Sequence, residues 1–116
     1  MKESGDATEV AKKTSFRVEP HVVNFVDYQV NGVYEIDVKV TNCAGESKRI
    51  KAVPPSTDNF TIRRIKYPSD KTGDVAPGMS LTFSVSFHAP SFADFDDVIT
   101  FITEENSFKL PLHARR

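Results

Sequence analysis

The stretch RIKAVPPSTDNFTIRRIK, residues 49–66, decides the fold of this chain. Apolar and basic residues alternate up to Val53, two prolines interrupt the pattern, and the alternation resumes at Phe60. Pro54 and Pro55 have no amide hydrogen, so they cannot donate to a β-ladder, and the first of them pushes Val53 toward an extended conformation. The strand therefore stops pairing without folding back tightly. This pattern predicts a chain that leaves one β-sheet and enters another.

The same period of two runs from Phe16 almost to the end of the chain, and no segment carries a convincing helical period. In MSLTFSVSFH, residues 79–88, we expect one face to be buried, namely Met79, Leu81, Phe83, Val85 and Phe87. The residues between them are expected to face solvent, namely Ser80, Thr82, Ser84, Ser86 and His88. Inward positions on the other strands are predicted at Phe16, Val18, Val23, Phe25, Tyr34, Ile36, Val38, Val40, Phe60, Ile99, Phe101, Phe108, Leu110, Leu112 and Ala114. Ile50, Ala52, Ile62 and Ile65 are the apolar positions of the strands on either side of the two prolines.

Prolines and glycines mark where these strands break or turn. Pro20 interrupts the first strand and predicts that it is split in two. Asn31-Gly32 supplies the positive backbone angles of a tight turn, and Pro77-Gly78 suits the centre of a type II turn within a long polar loop, residues 67–80. Pro111 on the outer face of the last strand indicates an edge. We therefore expect two open sheet edges, at Phe16–Glu19 and Phe108–Ala114.

Size and pattern together predict the fold class. The 116 residues suffice for one hydrophobic core. Short alternating strands with regularly spaced turn signals are typical of an all-β protein, here an antiparallel β-sandwich of about seven strands. Residues 1–14 are polar and unpatterned, which predicts a flexible lead-in, and residues 15–116 form the predicted domain.

Composition narrows the cellular setting and the partners. The single cysteine, Cys43, cannot form an internal disulfide, and the first residues contain no apolar stretch of signal-peptide length. Both features favour a reducing, intracellular setting, and no segment is apolar enough to span a bilayer. With 15 Lys and Arg against 16 Asp and Glu, the chain as a whole has no strong attraction for nucleic acid or anionic membrane.

The residues that most often carry chemistry do not form a recognisable catalytic or metal site. His21, His88 and His113 lack metal-ligand spacing and are expected to be surface imidazoles. The acidic cluster Asp94, Asp96 and Asp97 lacks the spacing and the glycine of a calcium loop and is expected to bind turn amides. Cys43 has no neighbouring base in the sequence. We therefore expect no enzyme activity, no metal and no cofactor.

One cluster of charges suggests a binding surface. Basic side chains are dense on two consecutive predicted strands, at Lys48, Arg49, Lys51, Arg63, Arg64 and Lys66. Lys51 and Arg63 at least should point outward, so the six are predicted to share a basic patch that binds an acidic protein surface, such as a tubulin-like one. The alternative is a solvated face neutralised by Glu35 and Asp37. Exposed aromatics are not interleaved with these charges, so nucleic acid is not the expected partner.

Several segments taken in order resemble the ASH domains of the PapD-like and major sperm protein superfamily. They are FRVEPHVVNFVDYQVNGVYEIDVKVTN, SKRIKAVPPSTDNFTI, VAPGMSLTFSVSF, DFDDVITF and FKLPLHARR. The chain is most similar to the subgroup found in hydin and related axonemal proteins, in which Phe-x-x-x-Pro opens the first strand, as Phe16 to Pro20 do here. The resemblance covers about residues 16–116. It implies a seven-stranded immunoglobulin-like sandwich without a disulfide.

The resemblance also implies a function. Domains of this kind are non-enzymatic parts of large proteins in cilia, basal bodies or centrosomes. The leading hypothesis is therefore that the chain is an interaction module that helps to assemble its parent protein in the axoneme. One branch of the superfamily binds short acidic peptides at membrane contact sites, through strands corresponding to residues 48–66, so a peptide-binding adaptor is an alternative. A passive spacer in a tandem array is a third possibility.

Overall fold

Nine strands form in the computed structural model, which describes residues 15–69 and 73–116. In chain order they are β1 (Phe16–Glu19), β2 (Val23–Val26), β3 (Val33–Asn42), β4 (Lys48–Val53), β5 (Phe60–Lys66), β6 (Asp74–Val75), β7 (Ser80–His88), β8 (Phe95–Thr103) and β9 (Ser107–Arg115). The predicted lead-in at residues 1–14 lies outside the described residues. No helix in the described ranges is long and apolar enough to cross a membrane.

The strands build two packed sheets. One has four strands in the order β1-β3-β7-β5, and the other has five in the order β2-β9-β8-β4-β6. All pairs are antiparallel except β2 with β9, which is parallel. The all-β sandwich is thus confirmed. If β1 and β2 are counted as one split strand and the two-residue β6 is set aside, the strands number seven.

The chain changes sheet at both proline positions that the sequence singled out. β4 belongs to the five-stranded sheet and β5 to the four-stranded sheet, so the crossing at Pro54-Pro55 is confirmed. β1 and β2 also lie in different sheets, with Pro20 between them, which confirms the split first strand. At both points the prolines lie in a connection between the two sheets and not in a tight hairpin within one sheet.

The core lies between the sheets and is rich in aromatic rings. Phe83 of the four-stranded sheet meets Phe101 of the five-stranded sheet at 6.0 Å between ring centroids, and neither is more than 2% exposed. Phe25 stacks on Phe87 at 5.3 Å, which closes the core at one end. The core therefore depends on side chains that alternate along each strand, as expected.

Several predicted orientations are wrong. Met79, expected to face inward, is 47% exposed because it precedes β7 in the turn. Ile65, an apolar position of β5 for which no face was predicted, is 45% exposed because a bulge between Arg63 and Lys66 shifts the register. Ser84 and Ser86 do lie on the outer face of β7, but both are buried. β7 is an inner strand between β3 and β5, and Asp37 of β3 and Arg64 of β5 contact Ser84 on the solvent side.

The predicted edge at Phe16–Glu19 is confirmed, whereas the one at Phe108–Ala114 is wrong for Leu112–Ala114, which pair with β2, and holds for Phe108–Pro111, which have a described neighbour only in β8. β9 lies between β2 and β8. Pro111 is tolerated there because it pairs with Val98 of β8, while the ladder with β2 begins only at the next residue, Leu112. Pro111 therefore does not have to donate a hydrogen bond to β2.

The turns are partly as expected. Gly78 has φ of +78°, and Met79 N donates to Ala76 O at 3.0 Å, which confirms the type II turn. In the first turn Asn31 adopts the positive φ, +66°, while Gly32 is needed for space: a Cβ there would lie 2.7 Å from Tyr34 Oη. The loop at residues 67–80 also contains β6, which the sequence pattern did not reveal.

The chain enters and leaves the described fold at opposite ends of the sandwich. Ser15 O accepts a hydrogen bond from Cys43 N, just beyond the end of β3, and Phe16 stacks on Phe108 near the start of β9. β9 then runs the length of the sheet to Arg115, and Arg116 N donates to Asp94 at the other end.

Candidate functional site

The structure does not bring the six predicted basic residues onto one surface. Lys48, Arg49 and Lys51 lie on β4, and Arg63, Arg64 and Lys66 lie on β5. These strands belong to different sheets. Lys51 and Arg63 are both exposed, as expected, but they project from the outer faces of opposite layers. They therefore form two separate groups.

Within the β4 group, two of the three cations have acidic partners. The Lys48 side chain is only 11% exposed, and its Nζ lies 2.7 Å from Glu105 and 3.2 Å from Glu46. The hydrogen bonds to Glu105 and Glu46 raise the pKa of Lys48 above its ordinary value. Arg49 Nε lies 3.7 Å from Asp74. Lys51 is thus the only cation of this group without an ion pair among the described residues.

Within the β5 group, a bulge turns one arginine onto the sheet. Arg64 has φ of +55°, and the register of β5 with β7 shifts between Arg63 and Lys66. The Arg64 guanidinium contacts the Glu35 carboxylate and lies 3.4 Å from Ser84 Oγ. The sequence-based alternative, neutralisation by Glu35 and Asp37, therefore holds for Arg64, which contacts Glu35 of β3 across the intervening strand β7.

Two cations of β5 remain without an acidic partner. Arg63 and Lys66 are exposed and form no ion pair with any residue in the described ranges. They pair in register with Ser84 and Thr82 of β7, whose side chains occupy the outer face. Because β5 has a described neighbour only on its β7 side, both charges stand at a sheet edge. We call Arg63 and Lys66 the β5 cationic edge.

The expected bonds to turn amides are found at Asp97, whereas Asp96 pairs with two side chains. Asp96 Oδ1 lies 2.6 Å from His113 Nδ1 and 2.8 Å from Arg115 Nη2, and the hydrogen bonds from His113 and Arg115 lower the pKa of Asp96. Asp97 accepts hydrogen bonds from the backbone and hydroxyl groups of residues 56–57. Burial acts to raise the pKa of Asp97, but these hydrogen bonds outweigh it and the net shift is downward.

The histidines and the cysteine do not assemble a catalytic or metal site in the described part of the chain. His21 and His88 are exposed, and His113 is paired with Asp96. Cys43 is exposed, with its Sγ 3.8 Å from Thr41 O. No group of three or more His, Cys, Asp or Glu residues within residues 15–69 and 73–116 is arranged to hold a metal ion.

A shallow polar groove crosses the outer face of the four-stranded sheet. Its volume is about 410 Å³, and its polar lining residues are Glu19, Asp37, Lys39, Arg64, Thr82 and Ser84. Ser84 Oγ donates to Asp37 at 2.7 Å, so the floor of the groove is already hydrogen-bonded. Cations and anions alternate around it, which gives no preference for a ligand of one charge.

Sequence reasoning missed two polar side chains that hold loops in place. Asn42 is fully buried and bonds three backbone groups, while Tyr28 is 2% exposed and its hydroxyl accepts a hydrogen bond from Ala93 N at 2.7 Å. Tyr28 fixes the loop that presents Phe92, which is 54% exposed. Asn42 is the last residue of β3, and a polar residue at a strand end carries no sequence signal that it is buried.

Comparison with known proteins places this geometry in a family. A family model described as the Ig domain of deleted in lung and esophageal cancer protein 1 matches residues 16–114. The human protein of that name is 35% identical over 102 residues, which cover 87% of this chain and 6% of that protein. The Chlamydomonas reinhardtii homolog of cilia- and flagella-associated protein 221 is 30% identical, covering 92% of this chain and 16% of that protein.

Two further matches confirm the resemblance to ASH domains of the hydin-like subgroup. The mouse hydrocephalus-inducing protein is 30% identical over 86% of this chain, which corresponds to 2% of that protein. An ASH or PapD-like domain of human CEP192 superposes with a TM-score of 0.64 at 10% identity, covering 89% of this chain and 85% of that one. The chain thus spans only a small part of its curated relatives. It belongs to the family of Ig domains typified by deleted in lung and esophageal cancer protein 1.

Proposed function

We propose that this chain is a non-enzymatic protein-interaction module of a larger ciliary or centrosomal protein and helps to assemble that protein in the axoneme. The names of its relatives support the setting, since one is cilia- and flagella-associated. The proposal accordingly places the chain at the cytoskeleton of the cilium, flagellum or centrosome. The observation that carries the binding role is the β5 cationic edge, where Arg63 and Lys66 are exposed and have no ion pair in the described part of the chain.

The β5 cationic edge fits an acidic protein surface better than the β4 group does. β5 reads FTIRRIK, with three cations and no acidic residue, and among the described residues only Arg64 of the three has an acidic partner. On β4, by contrast, Lys48 and Arg49 already have acidic partners. Exposed ion pairs contribute about 0.2–1 kcal/mol each, so the charges act mainly on association rate and orientation, and binding should weaken as salt is raised.

The test is co-sedimentation of the domain with microtubules, whose surface serves as the acidic probe. The double reversal R63E/K66E removes two attractions and adds two repulsions, and we expect it to weaken binding by about tenfold, or about 1.4 kcal/mol. The matched control is K51E, which changes an exposed, unpaired lysine on the other sheet and should leave binding nearly unchanged.

The outcomes separate the candidate functions. If R63E/K66E binds microtubules as well as wild type does, and its circular dichroism is unaltered, the β5 cationic edge is not the contact. Loss of binding in K51E alone would move the contact to β4. A wild-type domain that binds no microtubules but binds a short acidic peptide containing two phenylalanines by calorimetry is instead a peptide adaptor. A domain that binds neither probe is a passive spacer.

A further inference from the structure

The edge strands of this sandwich differ greatly in length. Three are short: β1 and β2 have four residues each and β6 has two. β5 has seven residues, and it has no described neighbour on the side away from β7. Short edge strands are a common protection against pairing with another chain. β5 lacks that protection over its first four residues, which are in regular register with β7.

The backbone of this regular part has hydrogen-bonding groups that point outward. His88 N donates to Asn59 O at 2.9 Å, which makes Asn59 and His88 a hydrogen-bonded pair of the antiparallel ladder. Such pairs alternate with non-hydrogen-bonded pairs. It follows that Thr61 and Arg63 direct their peptide groups toward β7, whereas Phe60 and Ile62 direct theirs away from it. The edge therefore offers two N–H and two C=O groups to an added strand.

The side chains define what kind of strand would fit. Thr61 and Arg63 face solvent on the outer side, and Lys66 follows on the same side beyond the bulge. On the inner side Ile62 is only partly buried and packs against the core, so apolar surface remains next to the edge. A strand placed beside β5 would alternate in the same way. Acidic side chains would lie next to Arg63 and Lys66, and apolar side chains next to Ile62.

The bulge at Arg64 limits how much of β5 can pair. Its positive φ and the register shift interrupt the edge after Arg63. A bulge of this kind discourages long, unselective edge pairing. It leaves a short docking segment at Phe60–Arg63, and Lys66 adds charge selection beyond the bulge.

We propose that β5 accepts a strand from a partner protein: a short extended segment in which acidic and apolar residues alternate pairs with Phe60–Arg63 and extends the four-stranded sheet. This inference rests on the proposed interaction function and names the partner's chemistry at the same site. It goes further in assigning part of the recognition to backbone hydrogen bonds rather than to side-chain charge alone.

The test uses a synthetic eight-residue peptide of alternating glutamate and valine, titrated into the isotopically labelled domain. We expect the amides of Phe60 and Ile62 to exchange quickly with solvent in the free domain and at least tenfold more slowly with the peptide bound. The amides of Thr61 and Arg63 already donate to β7 and serve as internal controls. R63E/K66E should weaken the peptide about tenfold, and K51E should not.

Two control peptides separate strand addition from simple charge attraction. A peptide with four glutamates followed by four valines has the same composition without the alternation and should bind at least fivefold more weakly. A lysine–valine alternating peptide should not bind. Equal binding of the alternating and block peptides, or binding that leaves the Phe60 and Ile62 amides unprotected, overturns the inference.

Failure of this inference is distinguishable from failure of the proposed function. If the peptide does not bind at millimolar concentration while microtubule binding remains sensitive to R63E/K66E, side-chain charge alone makes the contact and strand addition is wrong. If microtubule binding is absent or insensitive to R63E/K66E, the proposed function of the β5 cationic edge fails independently of the peptide result.

Discussion

Asn42 is expected to be among the most sensitive polar positions of the fold. Its side chain is fully buried where β3 ends, and Nδ2 donates to Val75 O at 2.8 Å and to Glu46 O at 2.9 Å. Its Oδ1 accepts from Ala44 N at 2.8 Å. One amide thus ties the turn after β3 to the edge strand β6. We predict that Asn42→Ala loosens all of these connections together.

The expected magnitude follows from the burial of each bond. The bond to Val75 O is buried, so its loss leaves an unsatisfied acceptor and should cost about 1–3 kcal/mol. The other two bonds are partly buried and can be replaced by water, at about 0.5–1 kcal/mol each. The free energy of unfolding should therefore fall by about 3 kcal/mol. For a domain of this size that corresponds to a thermal unfolding midpoint lower by about 13 °C.

The assay is urea unfolding followed by circular dichroism, and the control is Asn24→Ala. Asn24 is an exposed asparagine on β2, so its substitution should change stability by less than about 0.5 kcal/mol. Asn42→Ala should shift the midpoint without changing the slope of the transition. A loss below about 1 kcal/mol for Asn42→Ala would refute this reasoning, since it would mean that the three bonds have no net value.

Asn42→Asp provides a second, pH-dependent test of the same contacts. The new carboxylate would face two carbonyl oxygens in a buried site, which favours its protonated form and raises its pKa in the folded state. The loss of unfolding free energy in Asn42→Asp relative to wild type should therefore be small near pH 4, the unfolded-state pKa of the new carboxyl group. It should grow as pH rises, by up to about 1.4 kcal/mol per pH unit. Asn42→Ala should show no such trend, and a flat Asn42→Asp profile would contradict the geometry.

Three further predictions concern the core, a turn and acid stability. Phe83→Ala should cost about 3–5 kcal/mol in chemical unfolding, whereas the exposed Met79→Ala should cost less than about 0.5; similar values would invert the assigned core face. Gly78→Ala should lower the stability measured by thermal unfolding by about 1–2 kcal/mol, because Gly78 has a φ of +78°. Gly45→Ala should change it by almost nothing, because the φ of Gly45 is not positive and no heavy atom lies within 4 Å of a Cβ built at Gly45. Because the pKa of Asp97 is lowered in the folded state, its carboxylate contributes stability above the unfolded-state pKa of about 4, and this stability is lost as pH falls further. The difference in unfolding free energy between wild type and Asp97→Asn should therefore shrink in acid. A difference that widens in acid would mean that the pKa shift has the opposite sign.

Local chemistry predicted much of the architecture. Alternation assigned most inward side chains correctly because a strand exposes its two faces to different environments. The absent amide hydrogens of Pro54 and Pro55 correctly indicated a change of sheet. Such signals are contained in neighbouring residues, so no knowledge of strand order is required.

Strand order itself was the main thing the sequence left open. Pro111 indicates an edge because proline cannot donate, and Pro111 itself has no β2 neighbour, but the ladder with β2 begins one residue later and makes the rest of β9 an inner strand. Ser84 is polar and outward, yet it is buried because β7 is central. Neither outcome follows from the residues adjacent in the chain.

The candidate site depended even more on distant partners. Lys48 and Arg64 carry the same charge in the sequence as Arg63, but Glu105 and Glu35 neutralise them across the fold. Counting cations along two strands therefore overestimated the surface available for binding. Arg63 and Lys66 have no such partner in the described part of the chain, as is also true of Lys51, but Arg63 and Lys66 lie together on one sheet edge.

The opposite placement of Ser15 and Arg116 has a mechanical consequence. Tension applied between them would act on β9 through Arg116. It would act on β2 in the opposite direction, through Ser15 and β1. Since β2 and β9 run parallel over four residue pairs, their hydrogen bonds would be sheared together rather than peeled open one at a time. A domain loaded along this axis would resist stretching better than one pulled apart across its strands.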